Sequence, residues 1–249
     1  MPFTPSHVVA ILPFVRTPLA PAALAIGAMA PDLPYFLPLW VDRDLTHSLV
    51  GLPTIDLLVG AMTFALWLLV LRAPVLDYSP AWLRERMHTQ PRWRVGQPLV
   101  TGLLVIAALE LGILTHLALD SFTHEGGFLG QIAPWTNTEV GPFSIANIIH
   151  AGVSIVTTVI VVLWVRRWAR RTPRTARGSR LGAAERLATW IGLVAVIAAV
   201  GLVGWGGGVS RGQHPLDPNL LGGSFFVAIA MALAVAGVLS LVWRLRKVI

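Results

Sequence analysis

The sequence predicts an all-α, polytopic membrane protein with about five spanning helices and a short helical hairpin at its N-terminus. Of its 249 residues, 55% are hydrophobic and only 12% are charged, whereas about a quarter of the residues of a soluble domain are charged. The mean hydropathy is +0.71. Five apolar stretches are long enough to cross a bilayer, which takes about 20 helical residues. We therefore interpret residues 1–249 as a single membrane domain.

The N-terminal segment predicts the hairpin. Its two apolar stretches, 6–14 and 19–30, are each too short to span a bilayer, and Pro18 breaks the chain between them. Because a hairpin brings its ends together, we expect His7 and Asp32 to lie at the same level. The pattern leaves open whether the hairpin crosses or re-enters the membrane.

The remainder of the chain divides into polar segments and candidate spans. Glycines at 204–212 (GWGGGVSRG) predict a flexible turn. Within the domain we distinguish a hairpin with a polar metal-site segment (1–51), three spans that carry the core of the site (52–165), a basic loop (166–186) and two C-terminal spans (187–249). The five candidate spans are about 52–72, 98–123, 144–165, 187–207 and 222–243.

The distribution of charge predicts the orientation. Loop 73–97 with its flank, loop 166–186 and the C-terminal tail carry five, eight and three of the 19 basic residues. With five spans these segments fall on one side, which the positive-inside rule assigns to the cytoplasm of the plasma membrane. Orientation thus accounts for the net charge of +7, and we expect a lipid bilayer, not a nucleic acid, as the partner.

One helical stretch carries an unusual set of ionisable residues. In ELGILTHLALDSFTHEGG, residues 110–127, His116, Asp120 and His124 follow one another at intervals of four. Each step of four residues advances a helix by about one turn, so the three side chains share one face. Ionisable groups at membrane depth are costly and usually functional.

Histidines and carboxylates from four separate segments converge on the extracytoplasmic face. The chain has no cysteine, which excludes thiolate metal sites and a cysteine nucleophile. Imidazole and carboxylate are the ligands that zinc takes in place of thiolate. This set of residues predicts a site for one divalent ion, most readily zinc. It could hold two ions if a carboxylate bridged them. Its candidate ligands are His7, Asp32, His47, His116, Asp120 and His124.

The sixth ligand, His124, and two further residues, Glu110 and His150, are candidates for catalytic or binding roles. His124 is either a ligand or a general acid of catalysis. Glu110 lies on the same broad helix face but deeper; it is a candidate for supporting a ligand from behind or for handling protons, and we count it with the catalytic residues. His150, with Ser154 one turn further on, either joins the site or binds a substrate headgroup.

The segments MPFTPSH, GAMAPDLPYF, THSLVG and THLALDSFTHEGG occur in this order, and through them the chain resembles a family of bacterial integral membrane proteins, the domain-of-unknown-function family 4184. The match covers most of residues 1–155. That family is similar to the predicted membrane-bound metal-dependent hydrolases. The resemblance implies a metal-dependent hydrolase of the bacterial membrane, and the distribution of basic residues places its site on the extracytoplasmic side of the inner membrane.

The order of the ligands is also similar, more distantly, to that of zinc-dependent phospholipase C. Those enzymes use an early His, then an Asp and a His, then a His-x-x-x-Asp pair on a helix, as His7, Asp32, His47, His116 and Asp120 do here. The chain departs from them in starting with Met-Pro, not a free Trp, and in lacking their later His-x-x-x-Glu pair. The resemblance implies one or two metals and a phosphoester or lipid substrate.

Two other classes of function stay open. A transporter would use the same His/Asp set as a path for protons or divalent ions. Spans 52–72, 187–207 and 222–243 offer only Asp56, near an end, which favours a site near the surface. A haem protein with two axial histidines would not need the acidic partners.

Overall fold

The computed structural model describes residues 4–36, 41–87, 98–123, 127–175 and 178–246. The chain is 79% helical with almost no strand, which confirms the all-α polytopic fold. Within the described residues, five helices are long and apolar enough to cross a membrane. These are spans 1 to 5: Leu52–Tyr78, Pro98–Phe122, Ile145–Arg171, Ala183–Ser210 and Asn219–Leu245.

Spans 2 to 5 belong to the helices Pro98–Thr123, Ile145–Arg171, Ala183–Ser210 and Pro218–Leu245. Span 1 combines α-helical and π-helical turns: Leu52–Asp56, Leu57–Leu66, Trp67–Leu71 and Arg72–Tyr78. A two-stranded antiparallel ribbon pairs Glu139–Val140 with Phe143–Ser144. The short helices are Thr4–Phe14, Pro21–Gly27, Ala30–Asp32, Leu33–Phe36, Arg43–Thr46, Ala81–Arg84, Phe128–Ile132 and Pro134–Asn137.

Span 1 is longer than the sequence predicts, since it continues past residue 72 to Tyr78 and includes a proline. Pro74 has no N–H to donate, so the carbonyl of Val70 loses its usual partner four residues on. The Arg244 guanidinium supplies a replacement, because its Nε donates to Val70 O over 3.0 Å. The Arg244 side chain thereby supplies the Val70 carbonyl with a hydrogen-bond donor, which lipid tails could not provide.

The expectation of a flexible turn at 204–212 is wrong, because span 4 stays helical through Ser210. The glycines serve helix packing. A Cβ at Gly208 would overlap the side chain of Leu220, and one at Gly204 would lie 3.1 Å from Ser224 Oγ. Small residues of this kind let membrane helices approach closely.

The contacts of the chain define two compact units. One comprises Met1–Phe64 and Trp93–Trp164, and the other comprises Ala65–Arg92 and Val165–Ile249. All the ionisable residues of the site described below belong to the first unit.

The N-terminal segment of the first unit forms two short helices that pack on span 2. The first, Thr4–Phe14, is a 3₁₀ helix containing Pro13, and the second is Pro21–Gly27. Gly27 and Gly112 permit the contact with span 2, since a Cβ on either would overlap the backbone of the other helix. This close approach brings the backbone after Gly27 to the helix face that carries His116.

Candidate metal centre

Five of the six expected ligands meet in one place. His7 comes from the 3₁₀ helix, Asp32 from the end of Ala30–Asp32, and His47 from the residue after Arg43–Thr46. His116 and Asp120 lie one turn apart on span 2. The sixth, His124, lies outside the described residues. We call the five the His/Asp cluster: His7, Asp32, His47, His116 and Asp120.

The cluster is almost closed to solvent. His116 is fully buried, and His7, Asp32 and Asp120 are between 2% and 6% exposed. The side chain of His47 is 10% exposed, so the cluster is most open on the side of the segment around residue 47.

The distances between nitrogen and oxygen atoms in the cluster are longer than hydrogen bonds. Asp120 Oδ2 lies 3.4 Å from His47 Nε2 and 3.7 Å from His116 Nε2, and Asp120 Oδ1 lies 3.5 Å from His7 Nε2. Asp32 Oδ1 lies 3.5 Å from His47 Nε2 and 3.9 Å from His116 Nε2. Two ligand atoms that each lie about 2.1 Å from a tetrahedral ion are about 3.4 Å apart. The shorter of these distances match the spacing of ligand atoms around a shared cation.

The ring of His116 is oriented by the N-terminal hairpin. Its Nδ1 lies 2.9 Å from the carbonyl oxygen of Ala28. A carbonyl only accepts, so Nδ1 carries the proton and donates it. In the neutral ring the lone pair is then on Nε2, which faces Asp32 and Asp120. A backbone partner of this kind fixes the tautomer and direction of metal-ligating histidines.

The ring of His47 is oriented by Thr46. The Thr46 hydroxyl donates to the carbonyl oxygen of Arg43 over 3.2 Å and lies 2.9 Å from His47 Nδ1. The hydroxyl has a single proton, so when that proton is donated to the carbonyl, His47 Nδ1 is the donor in the second contact. The lone pair of the neutral ring is again on Nε2, which faces the same two carboxylates.

Asp32 and His7 are each held by one further contact. Thr4 Oγ1 donates to Asp32 Oδ2 over 2.7 Å, which leaves Asp32 Oδ1 directed at the histidines. The ring of His7 stacks on that of His116, with centroids 4.1 Å apart. The expectation that the ends of the hairpin bring His7 and Asp32 together agrees with this arrangement.

Burial and charge act against each other in the cluster. Burial is the largest effect on His7 and, with the neighbouring His116, lowers its pKa to about 4. Burial also disfavours protonation of His47, but Asp120 and Asp32 outweigh it and raise the pKa to about 9. Burial alone would raise the pKa of Asp32, yet contacts with His47, His116 and Thr4 lower it. At neutral pH a metal ion would therefore have to displace a proton from His47.

The donor set fits a divalent ion. Two overlapping groups, His7 with Asp32 and His116, and His47 with His116 and Asp120, have ligand atoms within 4.8 Å of one another. Within the described chain, His47 Nε2, His116 Nε2 and Asp32 Oδ1 are buried and have no hydrogen-bond partner. Buried polar atoms are normally paired or bind metals. Nitrogen and oxygen ligands without thiolate suit zinc, manganese or iron.

Three more ionisable residues lie around the cluster. Glu110 lies six residues before His116, about 9 Å along the helix axis, and its Oε2 is buried without a hydrogen-bond partner in the described structure. Asp56 is fully buried, within electrostatic range of His47 and Glu110. His150 is buried on span 3 and close enough to His7 to disfavour its protonation.

Sequence reasoning missed the residues that orient the ligands. Thr4 and Thr46 hold Asp32 and His47, and Arg43 places its guanidinium 3.6 Å from Asp120 Oδ2. Arg43 lies four residues before His47, one turn away on a helix, which is the one signal that could have drawn attention to it.

Comparison with known protein families gives a match over nearly the whole chain. The family model described as "Domain of unknown function (DUF4184)" matches residues 1–243, which include the whole His/Asp cluster. No curated protein and no solved structure matches the chain. The match confirms the resemblance drawn from the N-terminal motifs and extends it over the C-terminal spans. The chain is therefore a member of the DUF4184 family, a multi-pass membrane protein with buried His/Asp groups capable of holding a metal ion.

Proposed function

We propose that this protein is a metal-dependent hydrolase of the membrane that acts on a phosphoester or lipid substrate. One observation carries the proposal. The imidazoles of His116, which is fully buried, and of His47, which is 10% exposed, direct their Nε2 atoms at two buried carboxylates across 3.4–3.9 Å, longer than ordinary hydrogen bonds. A cation between them could be coordinated by all four groups. Zinc is the first candidate, with one or two ions.

The chemistry follows from the ligands. When bound, a divalent ion of this type lowers the pKa of a coordinated water towards neutrality and polarises a phosphoryl or acyl oxygen. The protein's own contribution is to hold the ligand atoms in place through Thr4, Thr46 and the Ala28 carbonyl. The nearly closed cluster excludes bulk water, which strengthens its electrostatic interactions. The more open side near His47 is the side from which a substrate would approach.

Two residues complete the proposed site. His124, four residues after Asp120 in the sequence, would serve as a further ligand or as the general acid that protonates the leaving group. Glu110, which lies deeper in span 2 than the cluster, would accept and release protons. We place the site on the extracytoplasmic side of the bacterial inner membrane, since three basic segments mark the opposite side as cytoplasmic.

A transporter is the second candidate, and one observation favours it. Asp56 lies within span 1, and neither of its carboxylate oxygens has a hydrogen-bond partner among the described residues. Glu110 adds a second buried oxygen of this kind on span 2. A line from the cluster through Asp56 to Glu110 would suit a path for protons or divalent ions.

Metal content tests the first proposal. The detergent-purified protein is analysed for bound metals before and after incubation with zinc, manganese or iron. We expect one or two equivalents in the wild type and loss of metal in His116→Ala and Asp120→Ala. His214→Ala is the matched control, because His214 is exposed and bonds only locally in the described structure, through Nδ1 to the Leu216 amide. Circular dichroism and size exclusion establish that each variant is folded.

The outcomes separate the candidates. Metal that is retained by His214→Ala and lost by both cluster variants supports the metal site and justifies a screen of phosphoesters and lipids. A wild-type protein that stays empty after incubation rules out the hydrolase as proposed. Cation-dependent flux in vesicles would then favour the transporter.

A further inference from the structure

We infer that Arg43 is the residue that recognises the substrate, and that the substrate carries a negatively charged oxygen beside the bond that is broken. A phosphodiester or phosphomonoester has such an oxygen, whereas a carboxylic ester or an amide does not. The inference deepens the proposed function and rests on it.

Arg43 lies at the most open side of the cluster. Its guanidinium is 3.6 Å from Asp120 Oδ2, and its side chain is 41% exposed, against 7% for Asp120. The short helix Arg43–Thr46 places it one turn before His47, and its carbonyl accepts from the Thr46 hydroxyl that orients His47. A group that approached the cluster past His47 would therefore come close to the guanidinium.

The N–H groups of the Arg43 guanidinium are available as hydrogen-bond donors. Charge-assisted hydrogen bonds between arginine and carboxylate are about 2.7–2.9 Å long and are often paired. The contact with Asp120 is a single one at 3.6 Å, and the described structure records no hydrogen bond from the Arg43 side chain. Arg43 and Asp120 thus form a loose ion pair without a hydrogen bond, and the planar guanidinium keeps its N–H groups available to bind an anion at two points.

Metal binding would leave the charge of Arg43 uncompensated. Asp32 and Asp120 together balance one divalent ion when the histidines are neutral, so neither carboxylate would then offset the guanidinium. The positive excess would lie at the open side, where an anionic oxygen could reach both the cluster and Arg43. A neutral ester would leave the guanidinium without a partner.

The acidic neighbours of Arg43 do not remove this excess. Asp42 and Asp44 are exposed, and Asp42 Oδ1 accepts from the Asp44 amide. The structure records no ion pair between either of them and Arg43. Solvent and salt screen exposed charges of this kind, so they weaken the attraction for an anion without providing Arg43 with a fixed partner.

The test measures binding of inorganic phosphate to the zinc-loaded protein by calorimetry. Wild type, Arg43→Gln and Arg43→Lys are compared with Arg16→Gln, which removes an exposed arginine from the same structural unit. We expect Arg43→Gln to weaken phosphate binding about 10- to 100-fold with zinc content unchanged, which is the usual effect of losing hydrogen bonds to a charged group. The phosphate affinity of Arg43→Lys should lie between those of wild type and Arg43→Gln, because lysine keeps the positive charge but lacks the planar guanidinium. Arg16→Gln should bind as the wild type does.

Three results would overturn the inference and leave the metal site standing. The first is a zinc-loaded wild type that does not bind phosphate, and the second is an Arg43→Gln variant that binds phosphate as tightly as wild type does. The third is an Arg43→Gln variant that loses zinc, which would make Arg43 a structural partner of Asp120. A wild type that takes up no zinc would instead remove the proposed function and the inference together.

Discussion

At the scale of single residues, the hydroxyl of Thr46 decides what His47 can do. It is fully buried and bridges the Arg43 carbonyl and the His47 ring. Without it, His47 could turn or place its proton on Nε2, where it would oppose metal binding. Partners of this kind typically change metal affinity by a factor of about 10–100 when they are lost.

We therefore expect Thr46→Val to reduce zinc affinity about 10- to 100-fold, measured by competition with a chelator of known affinity. Thr136→Val is the matched control, because Thr136 is also fully buried but its hydroxyl bonds only to the nearby Ala133 carbonyl. Tyr35 also contacts Thr46, with its hydroxyl 3.3 Å from Thr46 Oγ1. Tyr35→Phe should leave zinc affinity unchanged. Equal affinity in Thr46→Val and wild type would show that His47 does not depend on this hydroxyl.

At the scale of elements, the site depends on how closely the hairpin approaches span 2. The Ala28 carbonyl reaches His116 only because Gly27 and Gly112 allow the two backbones to touch. Protein interiors are close-packed, so a single added methyl group at such a contact must move a whole element.

Gly112→Ala should therefore shift the hairpin, destabilise the fold by about 1–3 kcal/mol and weaken zinc binding. Thermal unfolding and metal titration measure the two effects. Gly102→Ala is the control on the same helix, since a Cβ there meets nothing within 4 Å, and an alanine there should be neutral or slightly stabilising. If Gly112→Ala matched Gly102→Ala in both measurements, the close contact would not be what positions the Ala28 carbonyl.

At the scale of the whole molecule, the proposed sidedness can be tested directly because the chain has no cysteine. Single cysteines introduced for Arg174, in the basic loop, and for Gln213, between spans 4 and 5, replace exposed residues. In intact cells a membrane-impermeant maleimide should label the cysteine at 213 and not the one at 174. Both should react after the cells are opened, which controls for accessibility.

The reverse labelling pattern would place the basic loops outside. It would contradict the positive-inside assignment and move the site to the cytoplasmic side. The metal site itself would be unaffected, because its geometry does not depend on the orientation of the chain in the membrane.

The sequence alone determined that the protein is a polytopic helical membrane protein, and that its candidate metal centre is built from imidazole and carboxylate groups. The length and hydropathy of an apolar stretch are properties of the chain itself, and therefore the five spans could be predicted without knowing their neighbours. The pairing of His116 with Asp120 follows from the helical repeat. The helical boundaries were less predictable, since span 1 passes Pro74 with the help of Arg244, a residue far away in sequence.

Only the tertiary structure decided which atoms meet. The Ala28 carbonyl on His116, Thr4 on Asp32 and Arg43 beside Asp120 join separate elements, and no local pattern encodes such contacts. The same holds for Asp56, which resembles an ordinary charge at the start of a helix but is fully buried. The physical reason is that side-chain direction, tautomer and burial depend on how closely helices cross, and glycines at 27 and 112 set that distance.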